Sequence, residues 1–387
     1  MKFSVLQEAI FDFIDNGQGN GIANAVAGAG KTTTIVEAFK RATIRTRNAK
    51  FFAFNRSVVA ELKARGVDAQ TLNGLGAGAL FKAFTSAPEL DADTTRKLID
   101  QYLPIDAVKK YGGGIAKLVG LAKSFGIVPR LPEFNHLRPL TPDMPDVWQD
   151  LVYQFDIDIG EHPDATEDEL IDFARQVLTV SLRNLHVIDF DDQKYLPVVM
   201  LLSIRKYDWI FLDECQDLNI VDRELVRMAL GSRGRLFAVG DPYQAIYGWR
   251  GADVRSFDLI REEFKCSEFP LSVCYRCPTE VLEVARQWVP HIEARDGAPA
   301  GEVKHYRYFD HTDFQTGDLV LCRNNSPLIS LAYKLMGQRI PVIVLGRDFG
   351  KQIMTLVDKL GKDNPAGPNF VPELLARVEA HKFKEIE

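Results

Sequence analysis

A chain of 387 residues has room for two or three domains with sizeable buried cores. With 46% hydrophobic, 26% charged and 10% aromatic residues it reads as an ordinary globular protein, which excludes disorder, collagen and coiled-coil rods. Lys and Arg number 47 against 53 Asp and Glu, a net charge of −6, so nucleic-acid binding would need a local basic groove rather than a basic average. The start, Met1 to Glu8, has no apolar run of signal-peptide length, and no 18-residue apolar stretch occurs, so a soluble cytoplasmic protein with no membrane partner is expected. Five cysteines are too few and too uneven for a disulfide framework. Cys274-x-x-Cys277 matches half a zinc or redox motif, but zinc needs a full ligand set and only Cys266 and His291 lie near, at unusual spacing.

Taken in chain order, Ile22–Ala27 is an apolar strand, followed by a helical pattern over Thr32–Arg45. A second strand, Lys50–Phe54, precedes a helical pattern over Ser57–Arg65. From about Leu80 to Leu185 the patterns are helical, broken at Gly112–Gly114 and between Pro129 and Pro145. Strands return at Trp209–Leu212 and Leu236–Val239. A further α/β unit begins near Phe269, with strands at Leu319–Cys322 and Pro341–Leu345, and a charged helical pattern closes the tail from Gly361. Strand, glycine turn, helix and strand again predict a doubly wound parallel α/β sheet that binds ligands beyond its C-terminal strand ends.

Ala25-Val26-Ala27-Gly28-Ala29-Gly30-Lys31-Thr32 sits between the first strand and the first helix, the setting a phosphate loop requires, with Ala25 where the strict pattern has Gly. Backbone N–H groups of Ala27 to Thr33 and the helix N-terminus would wrap the phosphates of ATP or GTP. Lys31 would reach the β- and γ-oxygens and Thr32 would hold Mg²⁺. Trp209–Leu212 ends in Asp213 and Glu214; the first would hold Mg²⁺ and the second would activate water, which points to hydrolysis. Leu236 to Ala252 ends a strand at Gly240-Asp241 and places Gln244 where its amide could meet a γ-phosphate. Tyr247, Trp249 and Arg250 follow, a cluster suited to stacking on splayed bases, although aromatics there could also be ordinary core.

Ala27–Thr32, Asp213–Asp217 and Val239–Ala252 together resemble the UvrD/Rep-like (PcrA-like) superfamily 1 DNA helicases. The resemblance runs in order from Gln7 to about Leu360. It implies that Gln7 reads adenine, that Phe54 and Asn55 in Ala53–Arg56 and Thr71 and Asn73 in Gln70–Gly76 contact single-stranded DNA, and that Asp189–Asp192 is the acidic segment preceding the DEXX strand. In Leu271–Cys277 it implies that Tyr275 packs on adenine and that Arg276 is an arginine finger reaching in from the second domain. Leu319–Asn324 and Gly337–Pro341 are similar to the segment beyond.

The implied fold is a RecA-like P-loop NTPase domain 1A (1–78 and 186–265) carrying a mainly helical 1B-like insertion (79–185). A partial second RecA-like domain 2A (266–360) follows, then a tail or the start of a 2B-like region (361–387). The family's last two motifs are not found before Glu387, as if the chain were a fragment or lacked half of 2A. The expected activity is an ATP- and Mg²⁺-dependent DNA helicase or translocase core, 3′→5′ by resemblance, acting on single strands or single/double-strand junctions. An ATP-gated single-strand-binding clamp with little turnover is the alternative, and a small-molecule kinase stands third. Repair, replication, phage or defence roles, protein partners and DNA over RNA stay open.

Overall fold

The structure, a computed structural model, describes residues 3–159, 163–245, 255–308 and 313–344. It divides into two compact units, Met1–Val303 and Lys304–Glu387. The first begins with α1 (Val5–Asn16), β1 (Asn20–Ala25), α2 (Lys31–Arg45), β2 (Ala49–Phe52), α3 (Arg56–Ala64), β3 (Ala69–Gln70) and α4 (Leu72–Ala83). Next come β4 (Glu89–Leu90), α5 (Thr94–Tyr102), α6 (Ile105–Ser124), α7 (Pro145–Gln154), α8 (Glu167–Arg183) and β5 (Val187–Ile188). The unit ends with α9 (Asp192–Val199), β6 (Tyr207–Leu212), α10 (Ile220–Ala229), β7 (Leu230–Gly240), α11 (Ser256–Glu263), β8 (Cys266–Leu271), β9 (Val273–Cys274), α12 (Thr279–Ala285) and β10 (Glu293–Ala294).

Six strands form one parallel sheet in the order β3-β2-β6-β7-β1-β8. Its central strands are nearly continuous apolar runs because helices cover both faces. One face buries Phe11 of α1 and Ile35 and Phe39 of α2, the Phe39 ring edge-on to Phe211 at 5.5 Å. The other buries Val221 and Leu225 of α10 with Phe257 and Ile260 of α11. This is the predicted α/β class of the RecA-like P-loop type. The strands lie within a few residues of the expected spans, and the sheet gains an edge strand at β3.

Helices α5 to α8 build a separate core around Tyr111, Ile115, Leu118, Trp148, Leu170 and Leu178. The two-residue parallel pair of β4 and β5 brings the entry and exit of this insertion together. The core also takes in Tyr195, Leu196 and Val199 of α9, past the expected end at 185.

β8 pairs with β1 from Asn20↔Cys266 to Ala25↔Leu271, and the first unit runs on to Val303. One expectation is corrected. The strands expected at Leu319–Cys322 and Pro341–Leu345 do not form among the described residues, where Leu319, Leu321 and Ile343 are exposed. Apolar residues alone do not make a strand without a neighbouring strand to take up its backbone groups. In the second unit α13 (Asn325–Gly337) buries Ala332 and Leu335, and the tail helix expected beyond Gly361 lies outside the described residues. Among the described residues no helix is long and apolar enough to cross a membrane.

Candidate active site

β1 delivers the chain to a turn braced by its edge neighbour, where the Val26 N–H donates to the Leu271 carbonyl at 3.0 Å. Gly28 and Gly30 take φ of 72° and 77°, a region that favours glycine. At Gly28 the need is also steric, because an added Cβ would lie 2.8 Å from the Cys274 sulfur and 2.9 Å from Arg276 Cβ. Helix α2 starts at Lys31 with no side-chain cap, leaving its first N–H groups aimed into the cleft, as anion binding requires. Ala27 is exposed at the tip of the turn, and Gly28 to Thr33 line a cleft of about 700 Å³.

The acidic wall comes from β6. The Asp213 N–H donates to the Phe52 carbonyl at 3.1 Å, fixing Asp213 at the end of β2 and β6. Burial, then the Glu214 charge, pushes its carboxyl up to about 7. Glu214 has φ of 51°, and its Oε2 lies 3.3 Å from Lys31 Nζ. Gln216 donates from Nε2 to Glu214 Oε2 at 2.8 Å and to Asp217 Oδ2 at 3.3 Å. Its Oε1 accepts from the Asp241 N–H at 3.1 Å, and Asp241 in turn accepts from Gln244 Nε2 at 2.7 Å. One amide thus links Glu214 to the segment that carries Gln244. Gln216 and Asp241 stand beside acidic strand ends in the sequence, which does not by itself give them this role. The signal was there: an amide between two acids directly after an acidic strand end.

Gln7 and Tyr275 converge on Gly30: a Cβ there would lie 3.6 Å from Gln7 Nε2 and 4.0 Å from Tyr275 Cδ2. Gln7 Oε1 accepts from the Ser4 N–H at 3.0 Å in the capping box of α1, and Nε2 donates to Thr34 Oγ1 at 2.8 Å. A primary amide keeps a second donor and a second lone pair beyond these bonds. The Tyr275 N–H donates to the Gly28 carbonyl at 2.9 Å, and Tyr275 and Arg276 line the cleft. Both belong to the same compact unit as the turn at Gly28 and Gly30.

Phe54 and Asn55 stand where this cleft meets another of about 590 Å³, between the ends of β2 and β6 and helices α4, α6 and α9. Phe54 is exposed. Asn55 caps α3, its Oδ1 accepting from the Val58 N–H at 2.9 Å, and Thr71 caps α4 through the Gly74 N–H at 3.0 Å. Asn73 Nδ2 donates to the Phe190 carbonyl at 2.7 Å. Asn55, Thr71 and Asn73 therefore each hold local structure, and Asn55 and Asn73 also line the second cleft. Tyr247, Trp249 and Arg250 lie outside the described residues.

Thr32 and Asp213 both line the first cleft, which fits a Mg²⁺ site. Asp213 is buried and its carboxyl is raised by that burial and by Glu214, and a bound divalent cation would favour its ionised form.

Residues 153–265 match the UvrD/REP helicase N-terminal domain. The chain is 34% identical over 123 residues to ATP-dependent DNA helicase Rep of Escherichia coli (strain K12), covering 29% of this chain and 18% of that protein. It is 24% identical over 201 residues to DNA helicase II of Haemophilus influenzae, covering 46% and 26%. With ATP-dependent DNA helicase PcrA of Staphylococcus epidermidis it shares 28% over 149 residues, 34% of this chain and 20% of that protein. The matched stretches thus span about a quarter or less of these relatives.

Proposed function

We propose that this UvrD/Rep-like chain is the ATP-hydrolysing core of a DNA helicase or translocase. The observation that carries the reading is the convergence of Lys31, Asp213, Glu214, Gln244 and Arg276 on one cleft that adjoins a second cleft lined by Phe54. Across the cleft Lys31 is paired with Glu214. Incoming phosphates compete for that lysine and free Glu214 to take the proton of the attacking water, a role worth about 10²–10⁴-fold in rate. Gln216 keeps the freed carboxylate aimed at the cleft. Arg276 stabilises charge developing on the transferred phosphoryl group. Thr32 and Asp213 would hold Mg²⁺, which when bound would supply positive charge to the phosphate oxygens. Gln7 and Tyr275 receive the base at the Gly30 end.

In this reading residues 1–78 and 186–303 form domain 1A, 79–185 are its 1B-like insertion, and the chain from Lys304 belongs to a 2A-like domain. Single-stranded DNA runs over Phe54, Tyr247, Trp249 and Arg250, and cycles of ATP binding and hydrolysis move the protein 3′→5′ along it. The test is steady-state ATP hydrolysis with and without single-stranded DNA. Strong stimulation, lost in Glu214→Gln, is expected. Unstimulated or absent turnover with ATP still bound would overturn the motor reading and leave an ATP-gated clamp.

A further inference from the structure

Cys274 and Cys277 bracket Tyr275 and Arg276, the two cleft residues that lie against the phosphate loop, and the proposed reaction uses neither thiol. Cys274 ends β9 fully buried, its carbonyl accepting from the Arg295 N–H at 3.2 Å beside β10. Its sulfur lies directly under the phosphate loop, where a Cβ on Gly28 would come within 2.8 Å. The chain then doubles back, so the Cys277 N–H donates to the Cys274 sulfur at 3.4 Å. Both are free, and Cys277 is half-buried. A disulfide needs Cα atoms about 4.4–6.8 Å apart with facing Cβ atoms, and a turn that brings the fourth residue's N–H onto the first residue's sulfur suits that span.

We propose that Cys274 and Cys277 are a redox-closable pair whose disulfide changes how the phosphate loop and Arg276 are held. With hydrogen peroxide as oxidant the steps balance. The Cys277 thiolate attacks the O–O bond, forming Cys277–SOH and releasing hydroxide, which takes up the thiol proton to become water. The Cys274 sulfur then attacks the sulfenic sulfur, the S–S bond forms, and the departing hydroxide takes the second thiol proton. Two thiols lose two electrons and one peroxide becomes two waters. Burial, with the neighbouring sulfur, pushes the Cys277 thiol up, which keeps the pair reduced toward weak oxidants. Bond formation at about 2.05 Å draws the Cys274 sulfur out from under Gly28 and ties Tyr275 and Arg276 into a small ring.

The disulfide stands independently of the function proposed above; its effect on turnover rests on that reading. The full chain is treated with hydrogen peroxide, quenched, and peptide-mapped by mass spectrometry, with ATP hydrolysis measured in parallel. A 274–277 cross-linked peptide two hydrogens lighter is expected, together with a several-fold loss of turnover. Dithiothreitol reverses both, and Cys277→Ser, with its reduced-state turnover unchanged, shows neither. Absence of that peptide, or a link to the exposed Cys322 in its place, overturns the disulfide. The peptide with unchanged turnover overturns the coupling to the cleft. Untreated protein that hydrolyses no ATP counts against the ATPase reading and against that coupling, while the peptide map still decides the disulfide.

Discussion

Lys31 and Glu214 neutralise each other across 3.3 Å, so the two substitutions separate binding from chemistry. Lys31→Ala removes the cation that meets the phosphates and should abolish turnover together with most nucleotide affinity, read by equilibrium binding of a fluorescent ATP analogue. Glu214→Gln keeps a hydrogen-bonding side chain of the same size and should retain binding while turnover falls by about 10²-fold or more. Gln216→Leu leaves Glu214 and the Asp241 N–H without their shared partner. It should lower turnover with little change in nucleotide affinity, and an equal loss of both would assign Gln216 to folding alone. These residues were legible because each chemistry confines its residue types to a short stretch next to a strand end. The pairing of Lys31 with Glu214 was not, because it depends on the left-handed backbone of Glu214.

Helix α4 packs against α9 so closely that a Cβ on Gly76 would lie 1.8 Å from the Gln193 carbonyl oxygen. Gly76→Ala should therefore force the helices apart and cost about 1–3 kcal/mol or more in urea unfolding. A second fastening joins the insertion to the acidic segment before β6. Fully buried Lys123 of α6 lies 2.7 Å from Asp189 and 2.8 Å from Asp192. Lys123→Met leaves two buried carboxylates uncompensated and should cost about 3–5 kcal/mol. Burial pushes Asp192 up to about 6, against the pull of Lys123. The unfolded chain releases this proton near pH 4 and the native chain near 6, so the stability Asp192 contributes is greatest at low pH and falls across that window. The wild-type stability minus that of Asp192→Asn should decline from about pH 4 to about 6 in parallel urea titrations. The acidic run Asp189–Asp192 was visible in the sequence, but its partner lies 66 residues away from Asp189 on another element, and no local pattern pairs them.

At the scale of the molecule, the parallel sheet places the phosphate loop, Asp213 and Asp241 at the C-terminal ends of the neighbouring strands β1, β6 and β7. That adjacency is why residues far apart in sequence share one cleft, and single-strand stimulation of ATP hydrolysis tests whether the second cleft communicates with it. The sequence by itself determined the α/β class, the glycine turn between β1 and α2, the acidic end of β6 and the helical nature of the insertion, because periodicity and motif chemistry are local properties of the chain. Only the tertiary structure decided that β8 closes the edge of the first sheet, that Tyr275 and Arg276 share a unit with the phosphate loop, and that the apolar run at Leu319–Cys322 stays unpaired. Strand pairing and domain membership depend on which backbone groups find partners across long separations, and that choice is made by the packed sheet rather than by any one segment.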